Sequence, residues 1–210
     1  GMNLIVNDYD HPLIIKVASI PQIRIQVYFI DNEEYFKKKF IFKGADGKYF
    51  KDNDERSMFF CRGVLETVKK LGWMPDIVHC HGWMTALMPV YLKSVYKNDP
   101  HFSNAKIIYT HYKHDEKLKF SKDLPTKLDF DELPTSELNL NGLADVNKLH
   151  EIGIQWSDAV SHGSPDIDEG LLDLIKKTDK SVLEYHDEEQ TVEAHQNFYD
   201  KVLSENGVLV

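Results

Sequence analysis

From residue 53 onward, the sequence alternates short apolar runs with longer segments whose apolar residues recur at helical spacing. The strand-like runs are Asp76–His81, Lys106–Thr110, Ala159–His162 and Ser181–Tyr185. The helix-like segments beside them are Met58–Leu71, Trp83–Tyr96, Val146–Trp156 and Pro165–Lys176. Because parallel strands need a long crossover connection, this alternation predicts an α/β fold with a Rossmann-like parallel sheet and helices on both of its faces.

The first part of the chain has a different pattern. Asn3–Val6, Leu13–Ala18 and Ile23–Ile30 are β-prone runs, and the turn-rich residues Asn7–Asp10 separate the first two. We therefore expect an N-terminal β-hairpin region ahead of the parallel sheet. A length of 210 residues suits one large domain, so residues 1–210 are expected to form a single domain.

Three further regions carry structural expectations. The polar stretch from Lys113 to Asn139 has no clear period and predicts a long surface loop. The last helix is expected to begin at Asp187, where a capping box is present, and to end before Gly207. The two cysteines, Cys61 and Cys80, are expected to be reduced core residues, because two thiols in a chain of this length do not form a disulfide framework.

Composition excludes several classes of partner. The formal net charge is −9, and no basic run is present, which argues against binding to nucleic acid or to an anionic membrane surface. No apolar run is long enough to span a bilayer, and the N-terminus lacks the charged-then-apolar pattern of a signal peptide. The expected location is therefore the cytoplasm.

One segment carries a specific family resemblance. Asp54–Lys93 has the sequence DERSMFFCRGVLETVKKLGWMPDIVHCHGWMTALMPVYLK. It resembles the stretch of bacterial glycogen synthases and plant starch synthases in which a helix ends in Leu-Gly-Trp. In that family, Pro-Asp-Val, then His-x-His-Asp-Trp, then a helix with Ala-Leu-x-Pro follow. Val27–Phe36 and Val146–Pro165 are similar to two other segments of the family, whereas the sequence after Pro165 matches it weakly.

The resemblance implies a fold and an activity. Enzymes of this family transfer glucose from ADP-glucose or UDP-glucose to the non-reducing end of an α-1,4-glucan, with retention of configuration. They have the GT-B architecture, in which two Rossmann-like domains face a cleft. The chain is thus expected to be the N-terminal half of such an enzyme, with an α-glucan or a sugar nucleotide as partner and no cofactor.

The sequence departs from the family pattern at several places. The family's first strand and its Lys-x-Gly-Gly-Leu phosphate loop have no counterpart in Gly1–Val27, and the second domain is absent. The His-x-His-Asp-Trp motif is His79–Trp83 here, so Gly82 replaces the aspartate. The family's Thr-Val-His-Asn aligns with Thr110–Lys113, so Tyr112 and Lys113 replace the histidine and the asparagine. Independent catalysis is therefore not expected, and no residue is predicted to be catalytic.

The candidate substrate-binding residues follow strand ends, where ligands bind in such sheets. They are His81, Gly82, Trp83, Tyr112 and Lys113. His81 matches the family histidine near the transferred glucose, and its alternative role is that of a core histidine. Trp83 and Trp73 are more easily explained as core residues than as platforms for a sugar, and Lys113 as a solvated charge.

The histidines of these strand ends allow a second chemistry. His79, His81, His111 and His114 could together bind zinc, since imidazoles are common zinc ligands. Zinc sites need close geometry that spacing alone does not show, so no metal is predicted.

Three functions remain open on the sequence alone. The chain is a glucosyltransferase half that works with a partner chain, a non-catalytic glucan- or sugar-binding module, or a regulatory or association partner of a true synthase. Without the family's first strand, Asp76–His81 would lose a neighbour on one side. An unpaired buried strand edge is costly, which predicts a rearranged sheet or a homodimer that covers this edge.

Overall fold

The computed structural model describes residues 1–115, 117–142 and 144–205, and it contains two separate sheets. The first is an antiparallel meander, in the order β1 (Met2–Val6), β2 (Tyr9–Ile20) and β3 (Ile25–Asp31). The second is parallel, in the order β4 (Ile77–His81), β5 (Lys106–His111), β6 (Ala159–His162) and β7 (Ser181–Leu183). Both the α/β fold class and the N-terminal antiparallel region are confirmed.

Helices cover both faces of the parallel sheet. In chain order, the helices of the described residues are α1 (Glu33–Phe36), α2 (Asn53–Lys70), α3 (Met88–Lys93), α4 (Leu124–Phe130), α5 (Val146–Trp156), α6 (Glu169–Lys176) and α7 (Glu188–Ser204). Because successive side chains of a strand point to opposite faces of the sheet, the side chains of β5 pack into two separate hydrophobic cores. Ile107 and Tyr109 join the larger core with residues of α2, α3 and α5, whereas Ile108 packs with Phe198 and Val202 of α7.

The strand β4 lies at the end of the parallel sheet. It pairs with β5, and no strand in the described part of the chain pairs with its other edge. The meander does not fill this position, because it forms its own sheet and packs against α2 instead. The unpaired edge is thus as expected, and its coverage by a homodimer stays a prediction.

The region expected to be a long surface loop is partly a folded, buried segment, so this prediction was wrong. It contains α4 and a 3-10 turn at Thr135–Glu137. Six of its apolar side chains are buried: Leu118, Phe120, Leu124, Leu128, Leu133 and Leu138. Their irregular spacing follows neither the helical nor the strand period, which is why the pattern hid them.

The segment after β4 is also different from the single helix expected over Trp83–Tyr96. Trp83–Thr85 forms a 3-10 turn, and α3 begins only at Met88. Pro89 is the reason, because a proline lacks the N–H that a continuous helix would donate to Thr85, whereas it fits the first turn of a new helix.

Other expectations have mixed outcomes. Trp83 is a core residue, as expected, but Trp73 is 41% exposed and contacts Tyr28 edge-on instead of entering the core. Cys61 and Cys80 are buried free thiols, and the side chain of Asp187 caps α7. Gly207 lies outside the described residues. No described helix is both long and apolar enough to cross a membrane.

Candidate functional site

A cavity of about 200 Å³ lies at the carboxyl ends of the parallel strands. Its lining residues are His81, Thr110, Tyr112, Ser161, His162, Gly163, Tyr185, His186, Thr191 and His195. The lining thus consists of imidazoles, phenols and hydroxyls together with one glycine, and it contains neither a carboxylate nor a Lys or Arg side chain. Ligands of parallel α/β sheets bind at this edge, which makes the cavity the candidate site.

His81 and Tyr112 form the centre of the cavity wall. His81 is the last residue of β4 and is exposed, and its Nδ1 atom lies 2.9 Å from the hydroxyl of Tyr112, which follows β5. Gly163 makes this arrangement possible, because a Cβ atom there would lie only 2.4 Å from the Tyr112 ring. The position of the Tyr112 ring in the site therefore depends on the glycine that follows β6.

Gly82 provides the turn out of β4. Its φ of 75° lies in the left-handed region that favours glycine, and its N–H donates to the Thr110 carbonyl at 2.9 Å. The next residue, Trp83, is 3% exposed and packs between the rings of Phe42 and Phe120. Gly82 thus shapes the backbone beside the cavity, and Trp83 anchors that turn in the core without lining the cavity.

Lys113 lies outside the cavity lining. Its backbone N–H donates to the Ser164 hydroxyl at 3.0 Å, and its Nζ atom lies 3.5 Å from Asp166. Both charged side chains are largely exposed, so this ion pair contributes little to stability. The positive charge of Lys113 is nevertheless matched by a carboxylate.

His79 lies beneath His81 and connects β4 to α7. Its ring stacks on His81 with centroids 4.0 Å apart, and its two nitrogens lie 2.7 Å from the Tyr199 hydroxyl and 2.6 Å from the Thr110 hydroxyl. Burial, aided by His81 and His195, lowers the pKa of His79 to about 3. His79 is therefore neutral near pH 7.

A second group of histidines extends from the cavity lining, to which His162 belongs, into the core. The rings of His111 and His162 are joined by a 2.7 Å hydrogen bond, and His150 bonds to the Tyr109 hydroxyl at 2.6 Å. Burial lowers the pKa of His111 to about 4 and that of His150 to about 3, and it also lowers the pKa of His162. These rings are neutral packing groups at physiological pH.

The four histidines considered as zinc ligands, His79, His81, His111 and His114, are not arranged as a metal centre in the part of the chain that the structure describes. No three His, Cys, Asp or Glu side chains within residues 1–115, 117–142 and 144–205 are grouped closely enough to hold a metal ion. His79 and His81 lie on the α7 side of the sheet, whereas His111 packs with His150 on its other side.

The candidate residues therefore separate into two groups. His81 and Tyr112 line the cavity, while Gly82, Trp83 and Lys113 lie beside it. Sequence reasoning missed the four lining residues contributed by the β7–α7 region, which are Tyr185, His186, Thr191 and His195. The one pattern that could have pointed to them is the spacing of Thr191, His195 and Tyr199, which places all three on one face of a helix.

Comparison with known proteins gives a consistent picture. The sequence profile described as the starch synthase catalytic domain matches residues 2–178. A glycogen synthase of Chlorobium limicola is 43% identical over 106 residues, which are 50% of this chain and 22% of that protein. Glycogen synthases of Chlorobium phaeovibrioides and Thermotoga petrophila are 38% and 34% identical over 72% and 74% of this chain, respectively. These stretches are 30% and 31% of those two proteins, so the chain spans less than a third of the length of these relatives.

A solved structure shows the same fold. The catalytic domain of starch synthase IV from Arabidopsis thaliana, bound to ADP and acarbose, superposes with a TM-score of 0.60. The superposition covers 95% of this chain and 37% of that chain, with 20% sequence identity. The sequence match thus ends before β7, whereas the likeness of fold covers nearly the whole chain.

Proposed function

The chain belongs to the family of the starch synthase catalytic domain, and on that premise we propose that it supplies the sugar-binding half of a retaining glucosyl transfer. The reaction would move glucose from ADP-glucose or UDP-glucose to an α-1,4-glucan. The observation that carries this proposal is the uncharged cavity at the carboxyl ends of β4 and β5, where His81 and Tyr112 meet.

His81 is the residue proposed to contact the sugar. Its Nδ1 atom is taken by Tyr112, and within the described part of the chain its Nε2 atom makes no hydrogen bond. If the Tyr112 hydroxyl donates to Nδ1, then the neutral ring carries its proton on Nε2, which becomes a donor toward a sugar oxygen. Tyr112 would then orient His81, while Gly82 and Trp83 hold the turn that follows it.

The same lining supports the proposal that the chain does not complete the transfer alone. A transfer from a sugar nucleotide requires that the charge on the diphosphate leaving group be stabilised. None of the residues lining the cavity is a Lys or Arg, and Lys113 is paired with Asp166. The phosphates would therefore be held by groups on a partner chain or on another part of a longer protein, and we assign no catalytic residue, metal or cofactor.

The uncharged lining also favours a second candidate function. A glucan- or sugar-binding module with no chemistry of its own would need only neutral hydrogen-bonding groups. The replacement of the motif aspartate by Gly82 and of the motif histidine by Tyr112 fits this candidate equally well.

Calorimetric titration with maltoheptaose, ADP-glucose and UDP-glucose, each alone, distinguishes the two. Binding of a sugar nucleotide that is lost in His81→Ala would support the transferase half. Binding of the glucan alone would support the binding module, and no binding of any of the three would contradict both in favour of a purely associating role. The matched control is His101→Ala, because His101 lies away from the cavity and pairs with Asp99.

Two further proposals concern the assembly of the protein and its cellular location. A partner chain or a second copy is proposed to cover the outer edge of β4, which is unpaired among the described residues. A cytoplasmic location is proposed because the two thiols, Cys61 and Cys80, are free and buried, as in proteins of reducing compartments.

A further inference from the structure

One wall of the candidate cavity comes from sequence beyond the family match. The match ends at residue 178, whereas Tyr185, His186, Thr191 and His195 lie in the connection after β7 and in α7. Four of the ten lining residues therefore belong to a segment that the family comparison does not describe.

The helix α7 is firmly attached to the sheet. Phe198 and Val202 are buried against Ile108, Ala159 and Leu183, and the Tyr199 hydroxyl is hydrogen-bonded to His79. Thr191 and His195 lie on the same helix face as Tyr199, about two turns and one turn before it, respectively. The anchored turn thus holds both of them at the cavity.

The hydrogen bonds of the two histidines in this wall determine what they offer a ligand. The Nδ1 atoms of His195 and His186 lie 2.7 Å from the backbone carbonyls of Thr191 and Glu184, respectively. A carbonyl only accepts, so each Nδ1 carries a proton, and in the neutral ring Nε2 is then an acceptor. Two such acceptors suit a ligand with hydroxyl donors and disfavour a phosphate dianion, which only accepts.

The size of the cavity matches one sugar ring. At about 30 Å³ for each water molecule in the liquid, 200 Å³ holds on the order of seven waters. This is room for a single sugar ring. Tyr112 and Tyr185 add two aromatic rings to the lining, against which the apolar face of a sugar ring can pack.

We propose that the β7–α7 segment makes this edge of the sheet a pocket for one uncharged sugar ring, with His195 and Thr191 as specificity-determining residues. The proposal rests on the proposed function, in which His81 and Tyr112 hold a sugar. It adds that selection of a neutral sugar over a phosphorylated one depends on residues outside the family match.

The test is NMR titration of the full chain with glucose, maltose, glucose 1-phosphate and inorganic phosphate, repeated on His195→Phe and Thr191→Val. His195→Phe keeps a ring of similar shape but loses the acceptor, and Val192→Ala is the matched control, because Val192 lies on the same helix and is 74% exposed. We expect the neutral sugars to shift the His195 ring signals. We also expect affinity for them to fall about threefold to tenfold in each site variant and not in the control, as for loss of one hydrogen bond.

The outcomes separate this inference from the proposed function. Sugar binding that His81→Ala abolishes but His195→Phe and Thr191→Val leave unchanged would overturn the inference and leave the proposed function standing. Tighter binding of inorganic phosphate than of glucose would also overturn it. A wild-type chain that binds no sugar at all would overturn both.

Discussion

At the scale of single residues, the candidate site depends on which side chains replace the family motif. Tyr112 stands where the motif has a histidine, yet its hydroxyl reaches the Nδ1 atom of His81 at 2.9 Å. Gly163 provides the space that this larger ring occupies. Tyr112 therefore makes a polar contact to His81 without placing a carboxylate, Lys or Arg side chain in the cavity.

Tyr112→Phe tests the orienting role of that hydroxyl. We expect sugar affinity to fall about threefold to tenfold, since a typical hydrogen bond contributes about 0.5–1.5 kcal/mol. The free energy of unfolding should hardly change, because His81 is exposed and can bond to water instead. Titration of the variant against Tyr28→Phe, whose lost hydroxyl bonds to Gln26 far from the cavity, checks this. Equal affinities of the two variants would show that Tyr112 does not orient His81.

Gly163→Ala tests the space beneath the Tyr112 ring. A methyl group there would overlap the ring, so we expect the ring to move, sugar binding to be lost and stability to fall by about 1–3 kcal/mol, as for other overpacked sites. Urea unfolding and sugar titration are the measurements, with Gly170→Ala at an exposed position in α6 as the control. An alanine variant that binds sugar like the wild type would contradict the assigned packing.

At the scale of elements, the sequence pattern predicted strands better than helices. The strands β5 and β6 are buried and β4 is half-buried. In all three, apolar residues come before polar residues at the carboxyl end, so both the sheet and the region of the site could be inferred. The inward face of α7 carries Thr191, His195 and Tyr199, and polar residues facing a cavity look like a solvated surface in sequence. The cavity wall contributed by α7 was therefore not predictable from hydrophobic periodicity.

The partly or fully buried histidines of β4, β5 and α5 also predict that the fold loses stability in acid. The pKa values of His79, His111 and His150 are lowered to about 3, 4 and 3, whereas an unfolded histidine titrates near 6.5. Below about pH 6.5 the unfolded chain binds protons that the folded chain does not. The free energy of unfolding should therefore fall as the pH falls toward 4, by up to about 1.4 kcal/mol per pH unit for each fully buried ring.

Urea unfolding at pH 7.5, 6.5, 5.5 and 4.5 measures this effect. The variant His150→Gln should show a shallower dependence by about one proton, because the buried His150 ring no longer has to stay neutral. Val192→Ala should keep the wild-type slope, because it changes no titratable group and Val192 is 74% exposed. A stability that is flat between pH 7 and 5 would contradict the assigned burial of these rings.

At the scale of the whole molecule, the parallel sheet ends at β4. The Asp76 carbonyl and the Gly82 N–H bond to β5, and alternate residues of a parallel strand bond to the same neighbour. The backbone groups of Ile77, His79 and His81 therefore point to the outer edge. Within the described residues, no other strand of the chain pairs with this edge. Of the two arrangements predicted from the sequence, a rearranged sheet and a homodimer, the homodimer therefore remains. In it, the β4 strands of two copies would pair edge to edge about a two-fold axis.

Light scattering tests this assembly, and Ile77→Pro is the informative variant. A proline at the first residue of an edge strand removes the outward N–H of Ile77 and leaves the bonds from β4 to β5 in place. We expect the wild-type chain to have about twice the 24.4 kDa mass of one copy and Ile77→Pro to approach the mass of one copy. Ile77→Ala, which shortens the side chain but keeps the N–H, should remain a dimer, because the pairing uses the backbone. If both variants dissociate equally, the interface depends on the Ile77 side chain, and a wild-type monomer at high concentration would rule out the dimer altogether.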